Sequence, residues 1–128
     1  MSQILEHAHD VNEWLSRAAK LLRRGGVLAV ALPNFQSIFR RILQHRDPYI
    51  CPPAHLNFFG PTNLTLLFEK HGFQVTGMQW TTRMPTSVIA KRMAIGESII
   101  SMLPLKMLMN LIDRARLGMM ITVYGIKR

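Results

Sequence analysis

Glu6, His7, Asn34, Tyr49, His55 and Phe58 are the residues of this sequence whose types and settings suit chemistry. His55 stands in Pro52-Pro53-Ala54-His55-Leu56. An imidazole with an ordinary pKa near neutrality suits a general base. The competing reading is a clasp that bonds a loop carbonyl, and the surrounding prolines favour it, because such loops need tying down. Asn34 ends an apolar run and either faces a site or closes an Asx turn into the next helix. Glu6 and His7 form a polar pair that lines a site or helps to cap the helix after it. Tyr49 and Phe58 suit the wall of a pocket and equally the core. Cys51 has neither Cys nor His at metal-ligand spacing and reads as an ordinary thiol.

These residues are positioned by the stretch Leu21-Leu22-Arg23-Arg24-Gly25-Gly26-Val27-Leu28-Ala29-Val30-Ala31-Leu32-Pro33-Asn34. It reads as a helix end, a glycine stop, a strand and a turn. Residues 27–32 are apolar throughout, as in a strand covered on both faces, which predicts an α/β sheet. Pro33 stops the strand. Ligands of open α/β sheets sit beyond the carboxyl ends of strands, so Asn34 marks where a site belongs.

Upstream, Asp10 and Glu13 have capping-box spacing, and Val11, Trp14, Leu15, Ala18, Leu21 and Leu22 recur on one helical face. Lys20, Arg23 and Arg24 suit the negative end of that helix dipole. Downstream, residues 35–44 predict a short amphipathic helix, and residues 47–53 an irregular proline-rich segment. Pro61 opens a helix with Leu64, Leu67 and Phe68 inward, stopped by Gly72, with Phe73 just beyond. Residues 74–82 predict a strand whose apolar phase slips at Gly77, the mark of a bulge. Residues 85–103 predict an apolar helix that breaks near Pro104 and resumes to about Arg116, and residues 119–126 a closing strand.

The 128 residues suffice for one domain, and 48% apolar content excludes a disordered chain. A single cysteine fits a reducing, cytoplasmic setting, and the amino terminus lacks the apolar core of a signal peptide. Sixteen Lys and Arg against seven Asp and Glu give +9, which suits phosphates, anionic lipid or an acidic partner. The run Arg40, Arg41, His45, Arg46 lacks interleaved aromatics and reads as a solvated helix face, so no nucleic acid is expected. Residues 85–116, with Met93, Met102, Met107 and Met109 beside Lys91, Arg92, Lys106, Arg114 and Arg116, suit either a packing lid or a membrane surface; charges and Pro104 exclude a span.

Leu5-Glu6-His7, the helix ending Leu21-Leu22-Arg23-Arg24-Gly25-Gly26-Val27-Leu28, then Leu32-Pro33-Asn34, Pro52-Pro53-Ala54-His55-Leu56-Asn57-Phe58-Phe59 and the helix ending Gly72-Phe73 together resemble the carboxyl-terminal half of a class I S-adenosylmethionine-dependent methyltransferase, in the branch that includes quinone-biosynthesis enzymes. The resemblance runs over residues 4–75. It implies a partial Rossmann-like α/β sheet: Ile4-Leu5 as the end of strand four, residues 27–32 as strand five, 74–82 as strand six and 119–126 as strand seven, antiparallel between five and six. Residues 85–116 become a helical insertion in the last hairpin of a single partial domain over residues 1–128. It further implies S-adenosylmethionine as cofactor, Glu6 and His7 beside it, His55 over the acceptor pocket as a candidate base, and Asn34, Tyr49 and Phe58 at the substrate. Some members of that branch hold a divalent ion here with an acid three residues before the glutamate. That position is Gln3, without charge, and the nearby His9 does not suit a hard cation, so no metal is expected.

The family's glycine-rich cofactor turn and its ribose-holding acid are not among these residues, and Gly25-Gly26 enters a strand instead of leaving one. The expectation is therefore a methyltransferase fragment with little independent catalysis. Its exposed sheet edge would pair with a second copy or with a partner supplying the other half. A non-catalytic interaction module and a peripheral membrane protein are the rival readings.

Overall fold

The computed structural model describes residues 1–47, 49, 53–82 and 102–128. Its centre is a sheet of β1 (Val27–Pro33), β2 (Phe73–Thr81) and β3 (Met120–Lys127). The order is β1-β3-β2, with β3 antiparallel to both neighbours. The last strand thus returns into the middle, as the resemblance implies. Val30 faces Val123 on one side of β3, and Met78 faces Val123 on the other. The phase slip at Gly77 is a register shift between Val75 and Gly77, which re-aims Met78 and Trp80.

The strand-four stub lies earlier than Ile4-Leu5. Ser2 makes a parallel bridge to Ala31, the Gln3 N–H donates to the Ala31 carbonyl at 2.8 Å, and the Ala31 N–H donates to Met1 at 3.0 Å. Leu5–His7 is instead a 3-10 turn. Within that turn Leu5 is fully buried in the core. Residues 27–32 are not covered on both faces as the apolar run predicts. Leu28, Val30 and Leu32 are buried, Ala29 and Ala31 are half-exposed, and Val27 is exposed.

Helix α1 (Val11–Leu21) starts at Asp10, whose carboxylate accepts from the Glu13 N–H at 3.0 Å. Its buried face is narrower than the spacing predicts: Leu15 is fully buried, but Trp14 is 45% and Leu21 87% exposed. Gly25 then takes φ +78°, and its N–H reaches the Lys127 carbonyl at 2.8 Å. Lys127, on β3, donates its Nζ to the carbonyls of Ala19 and Leu22 and so neutralises the end of α1.

Helix α2 (Ile38–Leu43) is shorter than residues 35–44 because Ser37 caps it, accepting from the Arg40 N–H at 3.0 Å. A 3-10 turn, Gln44–Arg46, follows. Helix α3 (Pro61–Lys70) begins at Pro61 and stops at Gly72, φ +79°, with Phe73 fully buried beyond it. Helix α4 (Met102–Arg114) carries Pro104 in its first turn, where a missing N–H costs nothing. The expected helix over residues 85–101 lies outside the described residues, as do Lys91, Arg92, Pro48, Cys51 and Pro52.

Two apolar clusters hold these parts. The larger joins Leu5, Leu15, Val30, Leu32, Phe59, Leu64, Phe68, Phe73, Ile121 and Val123, sealing α1 and α3 onto one face of the sheet. The smaller joins Phe39 and Leu43 of α2 to Met109 of α4 and to Met119. Between the clusters, at the carboxyl end of β1, the chain forms a small pocket with a cavity volume of about 10 Å³.

Candidate functional site

Two loops far apart in sequence build this pocket by hydrogen bonding to each other. The Glu6 carbonyl accepts from the Leu56 N–H at 2.7 Å and the Asn57 N–H at 3.1 Å. The Asn57 amide donates to the carbonyls of Leu5 (3.2 Å) and Ala8 (2.7 Å), tying off the 3-10 turn. A parallel bridge between Asn34 and Phe59 extends the contact to the end of β1. The 3-10 turn, the β1 end and the loop before α3 are thereby held as one wall.

Glu6, Asn34, Tyr49, His55 and Phe58 all line the pocket, together with Ser37, Arg40, Asp47 and Asn57. Their polar atoms are unequally committed. Asn34 is buried and spent: its Oδ1 accepts from the Gln36 N–H at 3.0 Å, and its Nδ2 donates to the Gly118 carbonyl at 2.9 Å. The Asx turn is therefore present at Asn34, which also lines the pocket. Asp47 is buried and accepts from the Tyr49 N–H at 2.9 Å. Burial, and secondarily the Asp47 carboxylate, raises the Tyr49 phenol above its ordinary pKa, so the phenol is a neutral donor at physiological pH. Phe58 leans on Phe35 with ring centroids 5.0 Å apart, and the Arg40 guanidinium lies 4.9 Å over Phe35. Arg40 is thus a pocket residue, and the expectation of a wholly solvated basic face is corrected at this position. Its Nε is buried without a hydrogen-bond partner among the described residues.

The two histidines are oriented by carbonyls. His55 Nδ1 lies 2.7 Å from the Tyr49 carbonyl, and His7 Nδ1 lies 2.6 Å from the Ala54 carbonyl. A carbonyl can only accept, so each neutral ring carries its proton on Nδ1 and keeps a bare lone pair on Nε2. The rings meet edge to face, 4.7 Å between centroids. Beside them Glu6 is 2% exposed, and its Oε2 has no hydrogen-bond partner among the described residues. One donor atom from each of Glu6, His7 and His55 falls within 4.8 Å of the others. Gln3, on which the expectation of no metal rested, is not in this cluster.

A family model described as a methyltransferase domain matches residues 1–77 of the chain. The chain belongs to this methyltransferase-domain family. Among solved structures it is similar to a SAM-dependent methyltransferase of Thermotoga maritima, described as a possible histamine N-methyltransferase, with TM-score 0.63 and 18% identity over 100% of this chain and 54% of that one. A SAM-dependent methyltransferase of Archaeoglobus fulgidus matches with TM-score 0.60 and 17% identity, over 99% of this chain and 57% of that one. A Haloferax volcanii methyltransferase, solved in complex with the Trm112 methyltransferase activator, matches with TM-score 0.57 and 14% identity, over 98% and 50%. The chain therefore spans about half the length of each of these three structures. No curated protein matches the sequence.

Within this partial methyltransferase domain, five of the residues singled out from sequence share one pocket, and His7 joins them through its ring contact with His55. Sequence reasoning missed Asn57, Asp47 and Arg40. Asn57 stands in the quoted Ala54-His55-Leu56-Asn57 motif, but an amide that binds only backbone carries no signal at the level of residue type. Among the described residues, no helix is long and apolar enough to cross a membrane.

Proposed function

We propose that this chain is the acceptor-side half of an S-adenosylmethionine-dependent methyltransferase. In this reading Glu6 and His7 lie beside the cofactor, and Asn34, Tyr49 and Phe58 shape the acceptor pocket. His55 supplies the proton-accepting atom, since its Nδ1 is held by the Tyr49 carbonyl and Nε2 keeps its lone pair. The observation that carries the proposal is the convergence of Glu6, Asn34, Tyr49, His55 and Phe58 on one pocket at the carboxyl end of β1, where α/β sheets place their ligands.

Methyl transfer is an in-line displacement from sulfonium to nucleophile, so most of the rate comes from holding the two reactants in line. The loop-to-loop hydrogen bonds through Glu6 and Asn57 would supply that rigidity. The glycine-rich turn that grips the cofactor's other end would come from a preceding segment or a partner chain. Photo-crosslinking with methyl-tritiated S-adenosylmethionine tests the reading. Label in the peptide containing Glu6 and His7, competed by S-adenosylhomocysteine, is expected. Label that is absent, or not competed, contradicts it.

A further inference from the structure

We infer that the outward face of α4 is a docking surface for an anionic phospholipid bilayer, with the helix lying in the plane of the headgroups. The inference does not depend on the methyl-transfer reading and concerns a different part of the fold.

Helix α4 is held to the protein through Met109, which is buried against the cluster of Phe39 and Leu43. At about 100° per residue, Met107, Leu111 and Arg114 project almost opposite Met109, with Leu108 on one flank and Lys106 and Asn110 on the other. A helix fixed to a core by one side normally turns polar residues outward. Here Met107 is 66%, Leu108 52% and Leu111 63% exposed. With Asn110 and Arg114 these three line one shallow surface groove, so they form a continuous patch and not scattered single exposures.

Charge selects the occupant. Lys106 and Arg114, both exposed, border the patch. Asp113 is the single acid of the helix, and its two oxygens accept from the Thr82 N–H at 3.0 Å and the Thr82 hydroxyl at 2.7 Å, away from this face. The outward face is therefore apolar and cationic without a carboxylate, on a chain that carries +9. A helix of this kind sinks its apolar side to the acyl boundary while Lys and Arg stay among the phosphates. At 13 residues α4 is too short to span the bilayer, so the contact is superficial. A second copy fits less well. In a two-fold dimer the face meets itself and sets Lys106 and Arg114 against like charges, with no acid on the face to pair them.

Co-sedimentation with lipid vesicles tests the assignment. Binding is expected to phosphatidylcholine vesicles that contain phosphatidylserine, and little to phosphatidylcholine alone. Leu111→Ser should weaken it roughly ten-fold and Arg114→Gln about five-fold. Lys20→Gln removes the same charge from an exposed position on α1 and should weaken it by less than about two-fold. Should a variant fail to fold, a spin-labelled lipid headgroup reads the wild-type chain and should broaden the amide resonances of residues 106–114 before those of α1. No binding to the anionic vesicles, equal losses from Leu111→Ser and Lys20→Gln, or broadening centred on another surface would overturn the assignment. So would a concentration-dependent dimer, dissolved by Leu111→Ser, in place of vesicle binding.

Discussion

Asn57 spans the turn that carries Glu6: its N–H donates to the Glu6 carbonyl at 3.1 Å, and its side-chain amide reaches Leu5 at 3.2 Å and Ala8 at 2.7 Å on either side. Asn57→Ala leaves two carbonyls without this donor and should cost about 1–3 kcal/mol. Chemical denaturation of the variant checks the magnitude. The same variant should broaden the amide resonances of residues 5–8 more than those of β3.

Gly125 on β3 is a packing requirement. A Cβ there would stand 2.6 Å from Phe68 Cδ1 and 3.1 Å from Phe73 Cβ, in the middle of the larger core. Gly125→Ala forces Phe68 out of place and should destabilise by about 1–3 kcal/mol, read from the urea midpoint. Pairing the change with Phe68→Leu should recover part of that loss, because the clash is with the ring.

Lys127 stitches the last strand to the first long helix. Its ammonium meets the Ala19 and Leu22 carbonyls at the negative end of α1. Lys127→Met keeps the aliphatic stem and removes the charge, and should cost about 1 kcal/mol. Because the site is partly buried, added salt should shrink this difference only slightly, which a melting series at two ionic strengths checks.

His71 gives the fold a pH dependence. Its Nε2 meets Asn12 Oδ1 at 3.1 Å, which can only accept, so Nδ1 is the bare nitrogen and accepts from the Ser16 hydroxyl at 3.1 Å. Protonation would reverse the Ser16 bond, with Nδ1–H donating to the hydroxyl oxygen. Burial first and the Lys70 ammonium second lower the His71 pKa below the ordinary value of 6.5, with Asp10 opposing. Between the depressed pKa and 6.5 the unfolded chain binds more protons than the folded one, so stability rises with pH across that window. The contribution is complete above 6.5 and lost as pH falls through the folded pKa. His71→Gln should flatten this part of the stability-pH profile, measured by denaturation at pH values on both sides of the window.

Much of this was legible from residue order. Asp10 before an apolar periodicity, Pro61 and Gly72 around another, and the phase slip at Gly77 each describe a local backbone decision, and each appears where the pattern puts it. Tertiary competition decided the rest. Ile4-Leu5 reads as extended, but Leu5 is buried within a 3-10 turn, and the strand contact falls at Ser2. Trp14 and Leu21 fit the apolar face of α1 by spacing, yet both stay exposed. At the site, individual residues were visible as types, whereas the cluster of Glu6, His7 and His55 was not. It depends on how the 3-10 turn docks against the loop before α3, and no spacing rule encodes that.

The most direct test of the functional account is a titration of isotopically labelled protein with S-adenosylhomocysteine, followed by backbone amide shifts. Saturable shifts concentrated at Glu6, His7 and Asn34 are predicted, with β2 and α3 undisturbed. An unchanged spectrum at millimolar ligand, or shifts scattered over the exposed face of α4 instead, would contradict the claim that this pocket is one half of a cofactor-dependent methyl-transfer site.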